Sequence, residues 1–117
     1  MFEIEFYENR RGESPVHNYL IAIDQKAEGN KRAQSLLKKI YYAMELLQES
    51  GVLTGMPHVK HIDGKLYELR VSKERVFFFQ KSGGTITMLS HFTKKTRKTP
   101  KKELDRAIRY MKDWESR

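Results

Sequence analysis

One histidine and six cationic side chains crowd into a dozen residues near the end of the chain: His91, Lys94, Lys95, Arg97, Lys98, Lys101 and Lys102, with no Asp or Glu from His91 to Lys102. Such a run attracts a polyanion, because Lys and Arg contacts to phosphate supply most sequence-independent nucleic-acid affinity. Thr99-Pro100 lies inside the run and signals a helix start, where free backbone N–H groups and the positive end of a dipole favour an anion. Lys101 and Lys102 would sit in that first turn against the dipole, a small cost that a purely structural helix would avoid. The plain alternative is a solvated, lysine-rich loop. His91 suits acid or base work, and cations around it would depress its pKa and leave it neutral near pH 7. The plain alternative there is a hydrogen-bonded histidine at a strand end.

A second group lies upstream. Glu68 and Arg70 alternate on one face of an expected strand, and Arg75 follows a short turn, so it can sit beside Arg70 across a hairpin. Charges in the middle of a sheet suggest either a functional surface or a cross-strand ion pair worth under about 1 kcal/mol. Tyr67 and Phe92 offer rings on which a base could stack. Other chemistries find little purchase. The chain has no Cys, and His17, His58 and His61 form no metal-ligand spacing with an acidic pair. Gly83-Gly84 reads as a turn, not a phosphate loop. No metal and no cofactor is expected.

These residues need a scaffold. With 117 residues, 38% hydrophobic and 32% charged, the sequence reads as a single domain over 1–117. The net charge of +8 implies a negative partner, whether nucleic acid, an acidic protein or an anionic surface. No signal peptide and no membrane-spanning run is visible, so a cytoplasmic protein with no membrane partner is expected.

Phe2 to Tyr7 alternates as a strand. Ser14-Pro15 starts a helix with Val16, Tyr19, Leu20, Ile23 and Ala27 on one face, and Glu28-Gly29-Asn30 breaks it. A second helix runs from Lys31 to Glu49, with Gly51 as a left-handed C-cap. Strands follow at His58–Ile62 and Lys65–Val71 around the turn dipeptide Asp63-Gly64, then at Arg75–Gln80 and Thr85–Phe92 around Ser82-Gly83-Gly84. Simple alternation puts Thr87, Leu89 and His91 on one side of the last strand and Ile86, Met88 and Phe92 on the other. A helix from Thr99-Pro100 closes the chain. The expected fold class is α+β, with an N-terminal strand, a helical hairpin packed on one face of a mostly antiparallel sheet, and a C-terminal helix, in the order β-α-α-β-β-β-β-α.

Four blocks, Leu66-Tyr67-Glu68-Leu69-Arg70, Arg75-Val76-Phe77-Phe78-Phe79, Met88 to Lys95 and Lys98-Thr99-Pro100, resemble the phage-derived, HigB-like branch of the RelE/ParE toxin superfamily. The resemblance covers most of the chain from Tyr67 onwards. It implies a RelE-like fold and the toxin of a type II toxin–antitoxin pair. It implies a metal-independent mRNA endoribonuclease, acting on message at the ribosome and inhibiting growth. A helix-turn-helix antitoxin would neutralise it, and operator DNA would be reached only through that antitoxin. Arg70, Arg75, His91, Lys94 and Lys95 match the positions of chemical interest. Glu68, Tyr67, Arg97, Lys98, Lys101 and Lys102 fall to RNA binding. Family patterns often carry Gly after the His, where this chain has Phe92. The ParE branch poisons gyrase and cleaves no RNA, so a gyrase poison remains the alternative, and a non-catalytic RNA-binding domain a third.

Overall fold

The computed structural model describes residues 1–117. The elements run β1 (Glu3–Phe6), α1 (Pro15–Ala27), α2 (Lys31–Ser50), a 3-10 turn (Gly51–Thr54), β2 (Val59–Asp63), β3 (Leu66–Val71), β4 (Glu74–Lys81), β5 (Thr85–Thr93) and α3 (Lys101–Glu115). The expected order and the α+β class are both present. The sheet order is β1-β5-β4-β3-β2, antiparallel throughout except that β1 runs parallel to β5. No helix is long and apolar enough to cross a membrane.

Each sheet face carries its own core. On one face the helical hairpin buries Val16, Ile40, Ala43 and Leu47 against Leu69, Val76, Phe78, Ile86 and Met88. On the other, α3 lays Ala107, with Leu104, Ile108, Met111 and Trp114 beside it, on Leu66, Phe77, Phe79, Leu89 and Phe92. The run Phe77-Phe78-Phe79 is fully buried because β4 is central and feeds both layers alternately. Each of these rings contributes about 2–3 kcal/mol of hydrophobic stabilisation.

Polar anchors pin the far end of α3. Tyr7 Oη donates to Asp113 Oδ2 at 2.7 Å, and Trp114 Nε1 donates to Glu5 Oε2 at 2.7 Å. Burial and the Asp113 carboxylate push the Tyr7 phenol up to about 12, so it stays a donor. With that end fixed over β1 and β5, the first turn of α3 lies beside the C-terminal end of β5.

Helix starts follow the sequence signals in position and depart from them in detail. Ser14 is the N-cap residue of α1, but its buried hydroxyl makes no capping bond. Asn30 caps α2 properly, accepting from the Ala33 N–H at 3.0 Å. Pro100, not Thr99, is the N-cap of α3, with no side-chain cap.

Gly51 ends α2 at φ 56°, ψ −140°, outside the left-handed helical region the sequence suggested and in one that only glycine enters readily. A Cβ there would lie 2.4 Å from Gln80 Oε1 and 3.0 Å from the Phe2 ring. That oxygen accepts the Val52 N–H at 3.1 Å, so it cannot retreat freely. Gly51→Ala is expected to cost about 2–3 kcal/mol from backbone strain of roughly 1–3 kcal/mol and the lost turn bond. Urea unfolding of the variant against wild type checks this through the midpoint.

Candidate active site

Three strand ends and a helix start meet at one end of the sheet. The two-residue turn Ser72-Lys73 joins β3 to β4, with Arg70 paired to Arg75 and Val71 to Glu74. The chain leaving β5 passes beside that turn, and the Lys94 N–H donates to the Lys73 carbonyl at 2.7 Å. This end holds Glu68, Arg70, Lys73, Glu74, Arg75, His91 and the basic segment. The sheet then sorts them onto two faces.

On the α3 face, Glu68 Oε1 lies 3.7 Å from Arg70 Nε and 3.7 Å from Arg75 Nε. Glu68 and Arg75 are buried. Arg75 Nη1 donates to the carbonyls of Ser72 at 2.8 Å and Glu74 at 2.9 Å, tying the guanidinium to its own hairpin. Burial, and then the neighbouring Arg70, lower its pKa from the ordinary value, while Glu68 and Glu74 oppose the shift. The sequence pairing of Arg70 with Arg75 is therefore present, but it is not a solvent-facing patch. Of the two, only Arg70 reaches the surface.

On the hairpin face, Glu74 Oε1 gathers donors. Tyr19 Oη reaches it at 2.6 Å, His91 Nε2 lies 3.0 Å away and Thr93 Oγ1 3.2 Å. The Tyr19 and His91 rings stack with centroids 3.5 Å apart. Burial raises the Glu74 carboxyl, but the bonds from His91, Tyr19 and Thr93 outweigh it and hold the pKa below the ordinary value. Burial and the Glu74 carboxylate push the Tyr19 phenol well up, so it remains a protonated donor.

This corrects the simple alternation along β5. The register pairs Phe77 with Ser90 but Phe78 with Met88, so Leu89 is the extra residue of a bulge. Leu89 and Phe92 both enter the α3-side core, while Met88 and His91 face the helical hairpin. Leu89 and His91 thus point to opposite sides, as do Met88 and Phe92. The bulge turns His91 away from Glu68, Arg70 and Arg75 and into the Glu74 cluster.

Lys73, Lys94, Lys95, Arg97 and Lys102 line two adjoining clefts, while Lys98 and Lys101 line neither. One, of about 620 Å³, is lined only by polar residues, Lys73, Thr93, Lys94, Lys95, Thr96 and Arg97. The other, of about 510 Å³, is lined by His91, Phe92, Thr93, Lys95, Thr96, Pro100, Lys102 and Glu103. Thr93, Lys95 and Thr96 border both. Lys73, Lys94, Lys95, Arg97, Lys98, Lys101 and Lys102 make no salt bridge. Tyr67 and Phe92 take structural places. Tyr67 stacks on Phe78 at 5.9 Å over the hairpin-side core, and Phe92 is buried on Phe77 at 5.6 Å.

Sequence reasoning missed Glu74, Tyr19 and Thr93 as members of the site. Tyr19 was visible only as part of an apolar helical stripe, and Glu74 only as a turn residue.

No curated protein matches the chain. The family model described as phage derived protein Gp49-like (DUF891) matches residues 29–112, well over half of the chain. The match spans α2, β2 to β5 and most of α3, and so includes Glu68, Glu74, His91 and every cation of the two clefts. β1 and the whole of α1, with Tyr19, precede it. The chain therefore belongs to the phage-derived Gp49-like family, a toxin-like family of the RelE/HigB type.

Proposed function

We propose that this protein is the toxin of a type II toxin–antitoxin pair and cleaves mRNA without a metal. The observation that carries the reading is the histidine clamped on a buried carboxylate and lining a cleft with the unpaired cations Lys95 and Lys102. The reaction is attack of a ribose 2′-hydroxyl on the adjacent phosphorus. It forms the O2′–P bond, breaks the P–O5′ bond and leaves a 2′,3′-cyclic phosphate and a 5′-hydroxyl. It needs a proton acceptor at O2′, cations around the five-coordinate phosphorus and a proton donor at O5′. His91 takes the acid–base role. Lys95, common to both clefts, holds the scissile phosphate, with Lys94 beside it. Arg97, Lys98, Lys101 and Lys102 dock flanking phosphates, and Arg70 extends the track across the β3–β4 end. Arg75 and Glu68 serve by holding the hairpin. The substrate is message at the ribosome in the cytoplasm. The partner is an antitoxin with a helix-turn-helix domain, through which alone operator DNA is reached.

If the clefts bind backbone phosphates, affinity for single-stranded RNA is salt-dependent. Changing Lys94, Lys95 and Arg97 together to Gln removes three cations, and each lost contact lowers the slope of log K against log salt by about 0.7. A slope flattened by about 2 in fluorescence anisotropy titrations supports the docking assignment, and an unchanged slope removes it. Growth arrest with intact mRNA and accumulating DNA breaks would favour the gyrase poison instead.

A further inference from the structure

We infer that Glu74 is a positioning residue that fixes the His91 imidazole with its proton on Nε2, so that Nδ1 is the atom that takes the 2′-hydroxyl proton. The inference rests on the ribonuclease reading above and names how its histidine is oriented.

The register explains the contact. Glu74 pairs with Thr93 and Val76 with His91, so Glu74 and His91 are diagonal neighbours on one face of the β4–β5 ladder. Nε2 lies 3.0 Å from Glu74 Oε1. A carboxylate only accepts, so the shared proton belongs to the imidazole. Tyr19 and Thr93 donate to the same oxygen and keep the carboxylate from following a different partner. The Tyr19 ring, stacked at 3.5 Å, restrains the plane of the imidazole. Nδ1 makes no hydrogen bond to the protein and is not sealed in the interior. The His91 side chain is 17% exposed, and His91 is one of the residues lining a cleft with Lys95, Lys102 and Glu103.

The titratable groups in contact with the ring are Tyr19 from α1 and Glu74 from β4, and the charged residues that share a cleft with His91 are Lys95 from the basic segment and Lys102 and Glu103 from α3. Attack then balances without another reagent. Nδ1 receives the O2′ proton, the O2′–P bond forms, the P–O5′ bond breaks, and O5′ takes a proton from the Lys95 ammonium. The imidazolium formed is met by the Glu74 carboxylate.

The test is long-range 1H–15N spectroscopy of the full chain with an end-labelled RNA cleavage assay on the same samples. Wild type is expected to show a downfield Nε2–H proton protected from exchange and an unprotonated Nδ1. Glu74→Gln keeps the side-chain volume and removes the charge. It is expected to lose that downfield proton and about 100-fold in kcat, the low end of what a positioned base supplies, with KM little changed. Tyr19→Phe keeps the stacked ring and is expected to keep the Nε2–H proton. Wild type with its proton on Nδ1 overturns the inference with no variant needed. Glu74→Gln with unaltered kcat and His91→Ala inactive also overturns it, leaving the ribonuclease reading intact. His91→Ala as active as wild type sinks the role of His91 itself.

Discussion

Arg75→Ala will lower folding stability by about 3 kcal/mol, the low end of the roughly 3–5 kcal/mol lost when one partner of a buried ion pair is removed. The low end applies because Arg70 stays 3.7 Å from the Glu68 carboxylate when Arg75 is gone. The loss has a second source. Arg75 Nη1 bonds the carbonyls of Ser72 and Glu74, so the turn between β3 and β4 loses its brace. Ser72 sits at φ 55° without being glycine, a backbone state that needs such support. Replacing Glu68 and Arg75 together by Met removes the stranded charge and is expected to recover most of the loss, as buried pairs exchanged for apolar side chains often do. Urea midpoints of the single and double variants check both statements. A single variant as stable as wild type yet unable to cleave RNA would make Arg75 a chemical residue and not a structural one.

His91→Ala will lower RNA cleavage by about 10²–10⁴-fold, the usual contribution of a positioned acid or base. Stability should change far less than for Arg75→Ala, because His91 lies at the sheet end and its partner carboxylate keeps the Tyr19 and Thr93 donors at 2.6 and 3.2 Å. Binding of RNA should persist, since the unpaired cations of the two clefts are untouched. A binding titration beside single-turnover kinetics separates the two effects. Equal loss of binding and rate would move His91 from the chemistry to docking.

The architecture was legible because its signals are local. Periodicity, the Pro15 helix start, the Asn30 break and the glycine-bearing turns fix where elements begin and end. The Arg70–Arg75 pairing followed from a short hairpin alone. The site was only half legible. Period two assumes an unbroken ladder, and the bulge at Leu89 breaks it with a residue that carries no glycine signal. The face of His91 was therefore misread, and with it the neighbour that matters most. Glu74 and Tyr19 meet across 55 positions of sequence, a contact no local pattern encodes. The second covering helix was likewise missed as a layer. The amphipathic stripe of α3 was visible, but not that it lies on the face carrying Glu68 and Arg70.

Glu68 shows how burial changes a reading. On a bare sheet face its pairing with arginine would be a screened surface contact. Buried on the α3 side of the sheet it is an internal charge, and its two arginines become a structural requirement.

The central claim is phosphodiester cleavage by the RNA's own 2′-hydroxyl, with His91 moving the proton. End-group analysis of mRNA incubated with the protein, free and on translating ribosomes, tests it most directly. The account predicts fragments with 2′,3′-cyclic phosphate or 3′-phosphate ends and 5′-hydroxyls on translating ribosomes, the chemistry itself needing no added metal, and their loss with His91→Ala. Intact RNA under both conditions, or fragments with 3′-hydroxyl and 5′-phosphate ends, would contradict it.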